Sequence, residues 1–204
     1  MNSFNEERET AEYNSLMSLA DLIVIRLPGC DDEMIRKFIS LTYRDFVKRS
    51  CALKSMQRIE LENGRISYHL CPWIVGCDVD CIVGVSINGY KLDASEYAHV
   101  NDSINVNPRH LPNKGEKREM VVECLEVPRL GEERAPSWFI RKYGDAIVSG
   151  VLMNLMRMSG KAWSDPQQAA VEAIAYENAL TENRMRYYGN DCGGANYFKR
   201  GLVL

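Results

Sequence analysis

Apolar positions recur at three- and four-residue steps near both ends of this chain and at two-residue steps in its middle. The first period gathers side chains on one face of a helix, the second on one face of a strand. Residues 8–20 carry Leu16, Met17, Leu19 and Ala20 on one side and predict a short helix. The apolar run Leu22-Ile23-Val24-Ile25 predicts a strand that Pro28-Gly29 ends. A longer helix follows, to about Ser50. Ile35, Phe38, Ile39, Thr42 and Phe46 share one face, and Lys37, Ser40, Arg44 and Lys48 take the other. Asp31 or Asp32 is placed to cap it by accepting from free backbone N–H groups, and Glu33 suits the positive end of the helix dipole.

From about 55 to 127 the period is two. Ile59 and Leu61 alternate with charges, Asn63-Gly64 turns the chain, and Ile66, Tyr68 and Leu70 alternate back, which predicts a hairpin. Val79, Cys81, Val83, Val85 and Ile87 form a second run, turned by Asn88-Gly89 into Tyr90-Lys91-Leu92. A weaker strand is expected over 97–106, broken at Asp102, and a polar loop over 107–117. Residues 120–127 are apolar on both faces, as in a central strand.

Helix returns at Ala135-Pro136, where proline in the first turn lacks only an N–H that would have no partner. Over 138–158 the polar residues gather at Arg141, Lys142, Asp145 and Ser149, and the rest is nearly all apolar, as in a helix covered on most sides. Gly144 and Gly150 weaken it, each by about 1 kcal/mol against alanine, so they imply a close neighbouring backbone. A corner at Lys161-Ala162-Trp163-Ser164-Asp165-Pro166 leads into a final helix, capped by Asp165 and fading near Tyr188-Gly189. Trp163 is expected to plug the corner. The tail that follows is rich in glycine and reads either as a loose terminus or as an arm that orders on a partner. Tyr187, Tyr188, Tyr197 and Phe198 are its aromatic anchors, Lys199 and Arg200 its charge, and Leu202-Val203-Leu204 its apolar tip.

Composition narrows the classes. A net charge of −3 argues against a dedicated nucleic-acid binder, which needs a basic surplus to displace counterions from phosphates. The first residues lack the basic and apolar regions of a signal peptide, so synthesis in the cytoplasm is expected. The seven cysteines are an odd number, which predicts reduced thiols, several of them buried. His69, Cys71, Cys77 and Cys81 are of zinc-ligand type, but no Cys-x-x-Cys pair stands among them. Core cysteines are the plainer reading, with a metal-binding module or small enzyme as the alternative. His69 and His99 fall in strands and His110 in a loop. Asp78 and Asp80 share the solvent face of a strand. There is no phosphate loop, no His-Glu-x-x-His and no Gly-x-Ser-x-Gly. Neither catalysis nor a cofactor is expected.

Two blocks carry a family resemblance. Leu27-Pro28-Gly29-Cys30-Asp31-Asp32-Glu33-Met34-Ile35, leading into Tyr43-Arg44-Asp45-Phe46-Val47-Lys48-Arg49-Ser50, resembles the opening of bacteriophage head-to-tail adaptor (connector) proteins. Pro136, Phe139, Tyr143, Asp145, the run 146–150, Met158, the corner 161–166 and Ala169 resemble their later part. The order of helix, β insertion, helical hairpin and irregular arm is similar to that of the adaptors of short-tailed phages. The resemblance implies a structural virion protein of the neck. Identical copies, usually twelve, would form a ring between the portal protein and a tail or nozzle protein. DNA would pass through without sequence-specific binding, and no membrane would be involved.

The expected architecture is therefore α+β: a helical bundle (1–54 and 128–188), an inserted, mainly antiparallel β domain (55–127) and a C-terminal arm (189–204). The bundle would form the ring wall. The arm, through Tyr187, Tyr188, Tyr197, Phe198, Lys199, Arg200, Leu202 and Leu204, would meet the portal or neighbouring subunits, and the β insertion would meet the tail. Another neck, tail-ring or head-completion protein is the nearest alternative.

Overall fold

The computed structural model describes residues 12–190, with side chains through Met185. In chain order it comprises β1 (Tyr13–Ser15), a 3-10 turn (Leu16–Leu19), α1 (Ala20–Arg26), α2 (Asp32–Ser50), β2 (Lys54–Leu61), β3 (Ser67–His69), β4 (Cys77–Ile87) and β5 (Tyr90–Lys91). Next come β6 (Tyr97–Val100), β7 (Ser103–Val106), a 3-10 turn (Pro108–His110), β8 (Arg118–Pro128), β9 (Arg134–Pro136), α3 (Ser137–Met156) and α4 (Pro166–Asn190). The architecture is α+β, with helices from both ends of the chain flanking a central antiparallel β region.

The helical core gathers side chains far apart in sequence. Tyr43 and Phe46 of α2, Phe139 and Tyr143 of α3 and Tyr176 of α4 form one aromatic cluster with ring centroids 4.9–6.1 Å apart. Tilted and edge-on contacts of this kind add to what burial alone contributes. α3 lies at the centre and touches α1, α2 and α4, as its nearly all-apolar sequence requires. At Gly150 an added Cβ would lie 2.6 Å from Thr42 Cγ2 and 2.7 Å from the Tyr176 ring. The close neighbours are thus side chains of α2 and α4, not the backbone that the glycine suggested.

The β region holds two sheets, one ordered β2-β8-β4-β5 and one β3-β7-β6. Tyr68, Ile104 and Val106 of the smaller sheet pack with Leu61, Val85, Ile87, Met120 and Val122 of the larger in a second core. β8 is the central strand between β2 and β4. The caps are as expected: Asp31 accepts from the Glu33 N–H, and Asp165 from those of Gln167 and Gln168.

Several expectations are corrected. Residues 22–25 are helical, within α1, because Leu19, Ile23 and Leu27 at four-residue steps are the buried set. Of residues 8–20, the described part is β1, the 3-10 turn and the first residue of α1. β1 pairs with β9 and ties the N-terminal segment to the entry of α3. Asn63-Gly64 turns the chain without making a hairpin: β2 pairs with β8, and β3 with β7. At Asn88-Gly89 both residues have positive φ, 48° and 84°, and β4 does pair with β5. At 63–64 only Gly64 does (77°), so the turn lacks the twist that aligns two strands. Pro136 belongs to β9 and precedes the first residue of α3. Trp163 is half-buried against the helical core, with its indole N–H buried and without a partner.

Candidate functional site

The chemistry-bearing side chains are dispersed. His69 and Cys71 are exposed, Cys81 is half-buried and Cys77 lies in the helical core. Among the described residues no three His, Cys, Asp or Glu side chains are placed to share a metal ion. Burial pushes the Cys77 and Cys124 thiols up to about 12, and the nearby Glu126 carboxylate adds to both. They stay protonated near neutral pH, the poor form for attack or ligation. Asp78 is exposed and accepts from Arg129 at 2.8 Å. His110 Nε2 lies 3.1 Å from Glu96 Oε1. Burial, then Arg109 and Arg118, lower its pKa, so the ring is neutral at pH 7. Glu96 also accepts from Arg109 and, at 2.7 Å, from the Asp93 N–H. It anchors the 93–96 turn.

Glu126 went unnoticed in the sequence, where it reads as one more polar residue in an alternating strand. It is 1% exposed. One oxygen accepts from the Ser55 hydroxyl and from the Trp73 N–H at 2.7 Å, and the other from the Ile74 N–H at 2.8 Å. A buried carboxylate is tolerable only when such donors replace its water. Glu126 clasps β8, β2 and the 73–74 loop where the two cores meet. Its partners are all structural, so it is a seam and not a reactive group.

What the fold leaves unused is apolar surface. α4 buries Ala169, Glu172, Tyr176, Leu180 and Asn183. Its opposite side carries Val171 (56% exposed), Ile174 (63%) and Met185 (69%). At 100° per residue these three fall on one side of the helix, interrupted between Ile174 and Met185 by the exposed Asn178 and Thr181. Arg26 of α1 forms an ion pair with the nearly buried Glu172, beside Val171. Burial alone would raise the Glu172 pKa, but hydrogen bonds from Arg26, Gln168 and Ser149 outweigh it and hold the carboxyl below its usual range. Ile25, next to Arg26, is 77% exposed.

A cleft of about 340 Å³ opens between α3 and α4, lined by Lys142, Tyr143, Asp145, Ala146, Ala179, Glu182 and Asn183. Its floor is satisfied: Tyr143 donates to Asn183 Oδ1, and Asn183 Nδ2 donates to the Ser50 carbonyl at 2.9 Å.

The side chains of the expected contact residues all lie outside the described ones. Tyr187 and Tyr188 fall in the last turn of α4, but their side chains lie outside the described residues. Tyr197, Phe198, Lys199, Arg200, Leu202 and Leu204 lie outside them altogether. The outer side of α4 was not anticipated, because Val171, Ile174 and Met185 were not weighed together in the sequence. Counting them on a helical wheel would have found it, since Val171 and Ile174 stand opposite Ala169 and Tyr176. Among the described residues no helix is long and apolar enough to cross a membrane. No protein-family model matches the chain, and no curated protein matches it.

Proposed function

We propose that this chain is a structural subunit of a phage neck, a ring component that joins the portal of the head to the tail and continues the DNA channel. The observation that carries the reading is the outward apolar stripe of α4 on a body whose two cores are already complete. A lone soluble chain has no use for it, whereas a subunit among copies does. The dispersal of nucleophiles, bases and metal-ligand types supports a passive role. The mildly acidic balance suits a channel wall that must not grip DNA. In this reading the partners are the portal protein, a tail or nozzle protein and other copies, and the place of action is the virion neck. Multiple weak contacts around a portal would give the ring avidity.

The test is imaging of the purified chain mixed with its own portal rings. A ring of additional density coaxial with the portal is expected. Free portals beside dispersed chains, or turnover of a substrate by the pure protein, overturns the reading.

A further inference from the structure

The chain contains two Asn-Gly pairs, Asn63-Gly64 and Asn88-Gly89, and both are exposed. Such a pair lets a chain modify itself, because glycine has no side chain to shield its backbone nitrogen. That nitrogen bonds to the asparagine Cγ. The side-chain amide nitrogen leaves as ammonia, taking up the proton that the glycine N–H gives up, and a succinimide ring remains. Water then opens either ring carbonyl, to aspartate or to isoaspartate. Asparagine and water go in, a carboxylic acid and ammonia come out, and no oxidant, metal or second protein takes part.

The two pairs are held differently. Asn88 is clamped to the central strand β8 through both backbone and side chain. Its N–H donates to the Glu119 carbonyl at 2.9 Å, and its Oδ1 accepts from the Glu119 N–H at 3.0 Å. It also closes a paired hairpin, with Ile87 against Tyr90, so ring closure there must disturb strand pairing. Asn63 and Gly64 join β2 and β3, which pair with other strands. Their turn is closed by one backbone bond, from the Arg65 N–H to the Glu62 carbonyl at 3.2 Å.

The anchored side-chain atom differs as well. At Asn88 it is the oxygen, which an aspartate keeps. At Asn63 it is the amide nitrogen, the atom that leaves, and it donates to the Pro112 carbonyl at 2.8 Å. An ionised carboxylate only accepts, so after conversion it meets that carbonyl acceptor to acceptor and the tie is lost. Pro112 stands beside a small closed turn in which the Glu116 N–H donates to the Asn113 carbonyl at 3.0 Å and the Asn113 N–H to Glu116 Oε2 at 3.1 Å. We infer that Asn63 is a self-modification site whose conversion frees the Pro112 loop from the 63–64 turn, with Asn88 as its protected counterpart. Nothing in this depends on the neck reading, since it needs only this chain and water.

Peptide mapping of the full chain, aged in warm, mildly alkaline buffer, tests it. Electron-transfer fragmentation tells asparagine, aspartate and isoaspartate apart at 63 and at 88. In urea both positions should convert at similar rates. In the folded chain Asn63 should keep most of that rate, and Asn88 should fall several-fold below it. No conversion at 63, or conversion at 88 that is as fast, overturns the site. Asn63→Asp tests the release: hydrogen exchange at the Asn113 and Glu116 amides should quicken several-fold against wild type, with no change at Tyr90 and Lys91. If that variant lacks a native circular dichroism spectrum, the acidic fraction of aged wild type, isolated by ion exchange, takes its place. Unchanged exchange at Asn113 and Glu116 overturns the release.

Discussion

The helical half and the β half of this protein are closed in different ways. The β half covers itself with charge: Lys54–Glu123, Arg58–Glu119 and Lys117–Glu60 run across β2 and β8. Its exposed apolar side chains, Met56, Ile66, Val75, Tyr90 and Val100, stand on separate strands and turns. The helical half has the larger core, and one of its helices, α4, exposes Val171, Ile174 and Met185. Surface ion pairs contribute little stability, but they keep an exposed sheet from pairing with others. The helical half carries ion pairs as well, Arg36–Glu133 and Arg49–Glu177 among them. The seam between them depends on one buried carboxylate, Glu126.

That contrast can be broken first in the aromatic cluster. Phe46 is fully buried and touches Phe139, Tyr143 and Tyr176. Phe46→Ala should lower unfolding free energy by about 3–5 kcal/mol in a urea titration. A loss under about 1 kcal/mol would mean that the rings do not carry the helical half.

Glu126→Gln should cost about 2–3 kcal/mol, because an amide supplies one acceptor oxygen where the carboxylate supplies two, leaving a buried donor without a partner. Hydrogen exchange should quicken at Trp73 and Ile74 before it does in α3. Uniform quickening would show that the seam is not local. Gly150→Ala is smaller: overpacking against Thr42 and Tyr176 outweighs the gain in helix propensity, for a net loss of about 1–2 kcal/mol. A stabilised variant would show that the neighbours can move aside.

Acid should act through Glu172. Its folded pKa lies below the ordinary 4.5, so the native state binds its proton less readily than the unfolded chain does. The stability it contributes is complete above about pH 4.5 and is lost as pH falls through the lower folded value. Thermal melts below pH 4.5 should fall less steeply for Glu172→Gln than for wild type. Identical slopes would remove Glu172 from the account. The smallest effect is expected at the outer stripe, where Ile174→Asp should change stability by no more than about 0.5 kcal/mol, since that side chain touches mostly water. A large loss there would mean that the stripe belongs to the core after all.

Much of this was legible in the residue pattern. The change of period from 3.6 to 2 and back marked the helical and β regions, Asp31 and Asp165 marked two caps, and Asn88-Gly89 marked a true hairpin. Those features are local: they depend on side-chain spacing and on what one turn of backbone tolerates. The same local signal failed at Asn63-Gly64, because β8, almost sixty residues later, claimed β2 as its neighbour. It failed at residues 22–25 too, where apolar bulk suits a strand or a helix equally and only the burial of Ile23 and Leu27 selects between them. The role of Glu126, the contacts that need Gly150 to be bare, and the division of α4 into a spent inner face and an unspent outer one were set by tertiary packing alone. The reason is physical. Periodicity reports which residues share a side, whereas burial depends on which distant segment arrives to cover it.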